Sequence, residues 1–259
     1  MEIRQWAERI LSATTLQEKL LDPESLTDHQ PGPPLLFQLP IRPIGMEFKR
    51  HSRKERLPSF HELGDQDKRA TCLHRFAGHE LLAVEIMAQA LLAFPDAPSH
   101  FRRGLANTLR EEQGHVSLYI QRLENMGVRF GDLPLYRHFW THVPYLTSPI
   151  RYVSVMSLTF EMANLDFAPL YKRAFENAGD LESAQLMQQI LDDEIGHVAF
   201  GWNWLKRLKE PSQSEWEAWT QSLPAKITPN RAVGFHFHEQ HRLKAGISSE
   251  WLLQLSHHV

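Results

Sequence analysis

The chain has 259 residues, a formal charge of -3 and a single cysteine, Cys72, with 42% apolar and 23% charged residues. Those proportions are ordinary for a globular protein. The charge gives no general case for binding nucleic acid or an acidic membrane surface, and one cysteine excludes an intrachain disulfide and any cysteine-ligated iron–sulfur or rubredoxin-type centre. Short basic stretches, Lys49–Arg50 and Arg53–Lys54, are balanced by acids elsewhere. The start, MEIRQWAERILSATT, mixes acids with apolar residues and lacks a signal-peptide run, and no apolar stretch reads as long enough to span a bilayer. The expected compartment is the cytoplasm, with no membrane partner.

Residues 2 to about 21 read as an amphipathic helix with Ile3, Trp6, Ile10 and Leu11 on one side. Pro23, Pro31, Pro33, Pro34, Pro40, Pro43 and Pro58 then forbid a regular helix, so an extended segment wrapping over the main body is expected. From Asp67 to Phe94 the pattern is helical and apolar on most sides, as in a buried helix. Pro95 and Pro98 punctuate, and a second helix runs from Ser99 to Asn125, stopped by Gly127. A connection of about twenty residues, with Gly131, Pro134 and Pro144, leads to a third helix over Ile150–Asn177, ended by Gly179. The fourth runs from Leu181 to Lys209, ended by Pro211; a short helix near Glu215–Leu223, a proline-containing loop and a C-terminal helix follow.

The expected fold is therefore all-α. A four-helix bundle over 67–210 follows an N-terminal helix and Pro-rich wrap over 1–66, with a C-terminal helical extension over 211–259. The four helices are joined short, long, short. A long crossover between the second and third lets the chain run back along the bundle, the connectivity of ferritin-like folds.

Two Glu-x-x-His motifs occur, Glu112–His115 and Glu194–His197. On a helix, positions i and i+3 share a face, so each pair can present a carboxylate and an imidazole to one metal. With 21 glutamates and 15 histidines in the chain, such a spacing arises about once by chance, so the motifs alone decide little. Their register decides more: Glu112 to Glu194 and His115 to His197 are both 82 residues apart, and each glutamate follows another acid, Glu111 or Asp193. Glu80 lies 32 before Glu112 and Glu161 lies 33 before Glu194, with Glu85 and Asp166 five further on. Two helical hairpins thus look like a pseudo-repeat, each supplying one lone Glu and one Glu-x-x-His, which is the pattern of a di-metal carboxylate site. Phe76, Ala77, Ala83 and Val84 flank Glu80, Ile190, Leu191 and Val198 flank Glu194, and Leu109 and Val116 flank Glu112. Acids in such stripes are costly unless paired or bound to metal.

The expected ligands are Glu80, Glu112, His115, Glu161, Glu194 and His197, with the choice of bridging carboxylates open and Glu85 a rival to Glu80. Glu111 and Asp193 are candidates to hold the histidines from behind, against the alternative of plain exposure. Carboxylate-rich ligation favours two irons, or manganese or a mixed iron–manganese pair, over thiolate-bound zinc. Tyr119 and Trp204 sit near the motif histidines as possible redox side chains or core aromatics. The run GFHFHEQH gathers His236, His238 and His241, but with Glu239 its only acid a surface or packing role is expected. His257 and His258 belong to a fraying terminus. His74 and His79 line an access path or simply pack.

The stretches HRFAGHELLAVEIMAQALLAFPDAP, LREEQGHVSLYIQRLENMGVRFGDLP, FEMANLDFAPLY and ILDDEIGHVAFGW, together with IRPIGMEF and HRLKAGIS, resemble a bacterial ferritin-like family catalogued as a domain of unknown function. The resemblance spans about residues 35 to 250. More widely the arrangement is similar to rubrerythrins, bacterial di-iron monooxygenases and a di-iron hydroxylase of modified tRNA. It implies a ferritin-like fold and the same six ligands; without cysteine pairs, any reductant comes from outside. The expected function is a di-iron oxidoreductase acting on an undetermined substrate with an external electron donor. Iron oxidation or storage without an organic substrate, a tRNA-modifying hydroxylase, and a helical interaction protein stapled by metal are the alternatives. A homodimer is allowed for.

Overall fold

Apolar spacing in the first dozen residues places Ile3, Trp6, Ala7, Ile10 and Leu11 on one stripe, and helix α1 (Ile3–Ser12) buries all five. The computed structural model describes residues 1–49 and 56–258; the basic residues Arg50, Arg53 and Lys54 lie outside the described residues. Two compact units emerge, Met1–Pro144 and Tyr145–Val259. Among the described residues every regular element is helical, with two isolated β-bridges, Glu2–Thr27 and Phe48–Leu135.

In the first unit, the single helix expected to about residue 21 breaks after Ser12. Thr15 restarts the chain as α2 (Leu16–Lys19), its hydroxyl accepting the Glu18 N–H at 3.2 Å. A β-region threonine that caps the next turn competes with helix continuation. The described part of the proline-rich segment before residue 50 is extended, as its composition demands, and runs along α3 (Gln66–Ala93) at Leu35 and Phe37. Leu35 N–H donates to Leu92 O at 3.1 Å, and Phe37 N–H to Gln89 Oε1 at 2.8 Å. Helix α4 (Ser99–Asn125) packs back on α3. Buried Arg102 secures that turn, donating to the Leu91 and Phe94 carbonyls at 2.6 and 3.0 Å while pairing with Asp28.

Gly127 ends α4 at φ 78°, and Val128 N–H reaches Leu123 O at 3.0 Å; Gly179 ends α6 at φ 75°, and Asp180 N–H reaches Phe175 O at 2.9 Å. Both are left-handed caps that glycine adopts without steric cost.

Helix α3 corrects one expectation. By length and composition it is apolar enough to cross a membrane, yet 83% of its most apolar 18-residue window is buried inside the protein. That makes it a core helix, and the buried window explains its lack of a polar face.

The second unit holds α5 (Pro149–Val155), α6 (Met162–Asn177), α7 (Leu181–Leu208), α8 (Glu215–Ser222), α9 (Glu239–Lys244) and α10 (Ser249–Ser256). One continuous helix was expected over Ile150–Asn177. Instead α5 and α6 are joined by a π-helical turn, Met156–Glu161. Thr159 Oγ1 donates to Ser154 O at 2.7 Å, and buried Trp219 of α8 donates Nε1 to the same carbonyl at 3.1 Å. Opposite this turn stands Gly201 of α7, where an added Cβ would lie 2.3 Å from Ser157 Cβ. The wide turn and α7 approach closely because glycine leaves room. Further on, Pro169 sits inside α6 and lacks the N–H that would bond Leu165 O. His241 Nδ1 lies 3.0 Å from that carbonyl and takes its place. Trp202, Trp216, Trp219 and Trp251 form the aromatic packing under the C-terminal helices.

Candidate metal centre

Each unit places a Glu-x-x-His on the second helix of its hairpin, and the side chains adopt matching geometry. His115 Nδ1 stands 3.3 Å from Glu112 Oε2 on α4, and His197 Nδ1 stands 3.4 Å from Glu194 Oε2 on α7. All four are about 1% exposed. In the first unit Glu80 of α3 joins the pair: one ligand atom each from Glu80, Glu112 and His115 lie within 4.8 Å of one another. In the second unit Glu161, 5% exposed, occupies the last position of the π turn. π-Turns inside helices recur at functional sites. Asn164, one turn beyond Glu161, donates Nδ2 to Glu194 Oε1 at 2.7 Å and holds that carboxylate in place.

Two carboxylates and an imidazole, buried and convergent, fit a hard or borderline divalent metal. The one thiol does not compete. Burial pushes Cys72 up to about 12, so it stays protonated and a poor ligand.

The rivalry between Glu80 and Glu85 is decided by partners. Glu85 Oε1 lies 2.9 Å from Lys19 Nζ and its Oε2 2.5 Å from Arg42 Nη2, all three buried. Lys19 comes from α2 and Arg42 from the proline-rich segment. Asp166, the corresponding acid of the other hairpin, is likewise engaged by Arg242 of α9 at 2.7 and 2.8 Å. Burial alone would raise the Asp166 carboxyl; Arg242, with the His238 and Gly234 amides, holds it below the usual carboxylate range. Of the other candidates, Glu111 is exposed on α4 and Asp193 half-buried on α7. Tyr119 is buried with its ring edge-on to Phe76, 6.2 Å between centroids, and Trp204 is buried against Phe200.

Most of the other histidines singled out in the sequence have structural partners among the described residues. His74 Nε2 accepts the Gly131 and Leu133 amides at 2.9 and 3.3 Å. His79 packs edge-on against His138, 4.7 Å between centroids; burial first, then the charges of His138 and Arg75, hold it well below the usual imidazole range. His238 lies 3.3 Å from Asp166, His241 serves Leu165 O, and His236 is exposed.

Sequence reasoning missed Asn164 and the cations opposite Glu85 and Asp166. Asn164 was signalled by its i+3 spacing from Glu161. Lys19, Arg42 and Arg242 lie 43 to 76 residues from their acids and left no local sign.

Comparison with known proteins finds a family and a relative without a defined activity. A protein of Haemophilus influenzae (strain ATCC 51907 / DSM 11121 / KW20 / Rd), described as uncharacterised, is 27% identical over 149 residues. The match covers 54% of this chain and 52% of that protein, so the chain aligns with about half the length of this relative. No solved structure matches the chain. Residues 3–253 match the family described as protein of unknown function (DUF455), and the chain belongs to that family.

Proposed function

We propose that this chain is a dinuclear metal protein, with two irons held by Glu80, Glu112, His115, Glu161, Glu194 and His197, and that it works as an oxidoreductase on O2 or peroxide. The observation that carries the reading is the buried Glu80–Glu112–His115 cluster, with ligand atoms within 4.8 Å of one another. Support comes from the second Glu-x-x-His, 82 residues on, with the same internal geometry. Shared register along the sequence is the ground for treating the two Glu plus Glu-x-x-His sets as halves of one site, and the α3–α4 and α6–α7 hairpins as halves of a ferritin-like bundle. When bound, a pair of irons would supply the electron transfer to O2 or peroxide.

The chain's own residues bind and shield. Four nearly inaccessible Glu and His side chains of the two motifs keep bulk water away. Asn164 orients Glu194 through its amide. With one protonated, buried cysteine the chain has no dithiol to deliver electrons, so the reductant is an external partner.

Elemental analysis of protein expressed with iron and purified without chelators tests the reading. It should give about two irons per chain, lost in a Glu112→Ala/His197→Ala variant that keeps its helical circular dichroism. Metal content near zero after anaerobic iron loading would end it. Two irons with no oxygen uptake under any reductant would leave a storage or stapling role in its place.

A further inference from the structure

Within Met1–Pro144 a cleft of about 880 Å³ opens between the segment 39–49 and the segment 136–141. Its volume lies in the range of small-molecule sites. The walls are fastened to each other: Lys49 N–H donates to Leu135 O at 2.7 Å, and Trp140 Nε1 to Gln38 O at 2.8 Å. Phe48 and Tyr136 line it with aromatic surface, and guanidinium groups sit over both rings, Arg42 at 4.0 Å and Arg75 at 4.3 Å from the centroids. Lys49 and Arg137 stand exposed in the lining. Glu47 is the one acid among the described lining residues, and its carboxylate is engaged by the Gly45 amide at 3.0 Å.

Arg42 is the informative residue. It lines the cleft at 9% exposure, and Glu85 accepts from its Nε and Nη2. Its Nη1 is buried and meets no hydrogen-bond acceptor among the described residues. Glu85 is also shared with Lys19, so the buried trio keeps one net positive charge. A buried charged donor without an acceptor is costly, and an anionic oxygen delivered into the cleft would remove that cost.

We propose that this cleft binds a small anion, a carboxylate or phosphate monoester, carrying a planar apolar ring. The anion meets Arg42, Lys49 and Arg137, and the ring lies against Phe48 and Tyr136. His138 in the wall touches His79, the residue before Glu80, so the cleft backs onto the turn of α3 that bears the candidate ligand. Taken as the substrate class of the metal site, the inference rests on the dinuclear reading; the binding itself does not.

Isothermal titration of the full chain, iron-loaded and metal-free, with phenyl phosphate, benzoate, inorganic phosphate and benzyl alcohol separates the terms. Phenyl phosphate or benzoate should bind about tenfold or more tighter than either inorganic phosphate or benzyl alcohol, and the preferred one assigns the anion. Lys49→Gln/Arg137→Gln, at exposed positions, should weaken that binding about tenfold while leaving the thermal melt in place. No binding, equal binding of inorganic phosphate, or an unchanged affinity in the double variant overturns the proposal. Phenyl phosphate binding to a chain that takes up no iron would retain the cleft and remove the metal reading. Iron uptake with no probe bound would do the reverse.

Discussion

Glu80 and Glu85 stand five residues apart on α3 and are buried at 7% and 0% exposure, yet their surroundings give them different work. Glu85 pairs with both Lys19 and Arg42; Glu80 converges with Glu112 and His115. Glu85→Ala leaves two buried cations without their anion and should cost about 3–5 kcal/mol, read as a lower urea midpoint. On the dinuclear proposal, Glu80→Ala should abolish iron uptake at a much smaller cost to the metal-free protein. Loss of iron from folded Glu85→Ala, with none from Glu80→Ala, would reverse the two roles. His74 makes a pH prediction. Burial first, and the Arg75 charge second, lower its pKa from 6.5 to about 4, consistent with a neutral ring accepting two amides. Between those values the unfolded chain holds a proton that the folded chain refuses. Its contribution is therefore complete above about pH 6.5 and drains away as the pH falls toward about 4, by roughly 2–3 kcal/mol. His74→Gln keeps an acceptor without the titration and should flatten that dependence in urea unfolding at pH 7 and pH 5.

At the scale of elements, the π turn at Met156–Glu161 separates a legible helix from its real shape. A wide turn needs one extra residue in the hydrogen-bond ladder, and apolar periodicity barely registers it. Tertiary partners hold it: Trp219 on Ser154 O, and the gap at Gly201 facing Ser157. Gly201→Ala should therefore destabilise by about 1–3 kcal/mol through overpacking, and adding Ser157→Gly should recover most of it. Thermal melts of the two variants check this; an unaffected single variant would mean the turn can move away. The Pro169–His241 pair follows the same logic. A proline's missing N–H is a local property of the chain, but its replacement 72 residues later leaves no local sign. Glycine stops were legible at Gly127 and Gly179, because a left-handed cap is a local requirement of the backbone.

For the whole molecule, two units each carry a helical hairpin and a surrounding wrap, and the wraps supply the counter-charges of the buried acids. Lys19 and Arg42 come from before the first hairpin, and Arg242 from after the second. The N-terminal and C-terminal segments thus pair the buried acids of their own units with cations and, in the first, form one wall of the cleft. The sequence by itself determined the all-helical class, the span of most of the long helices and the spacing of both Glu-x-x-His motifs. These rest on short-range periodicity, prolines, glycine caps and internal register, which act over a few residues or repeat along the chain. Only the tertiary structure decided which buried acids are neutralised by cations, where a helix widens by a turn, and which histidines serve carbonyls and amides. Those outcomes depend on partners distant in the chain, brought within about 3 Å by packing, and no local pattern encodes a distance of that kind.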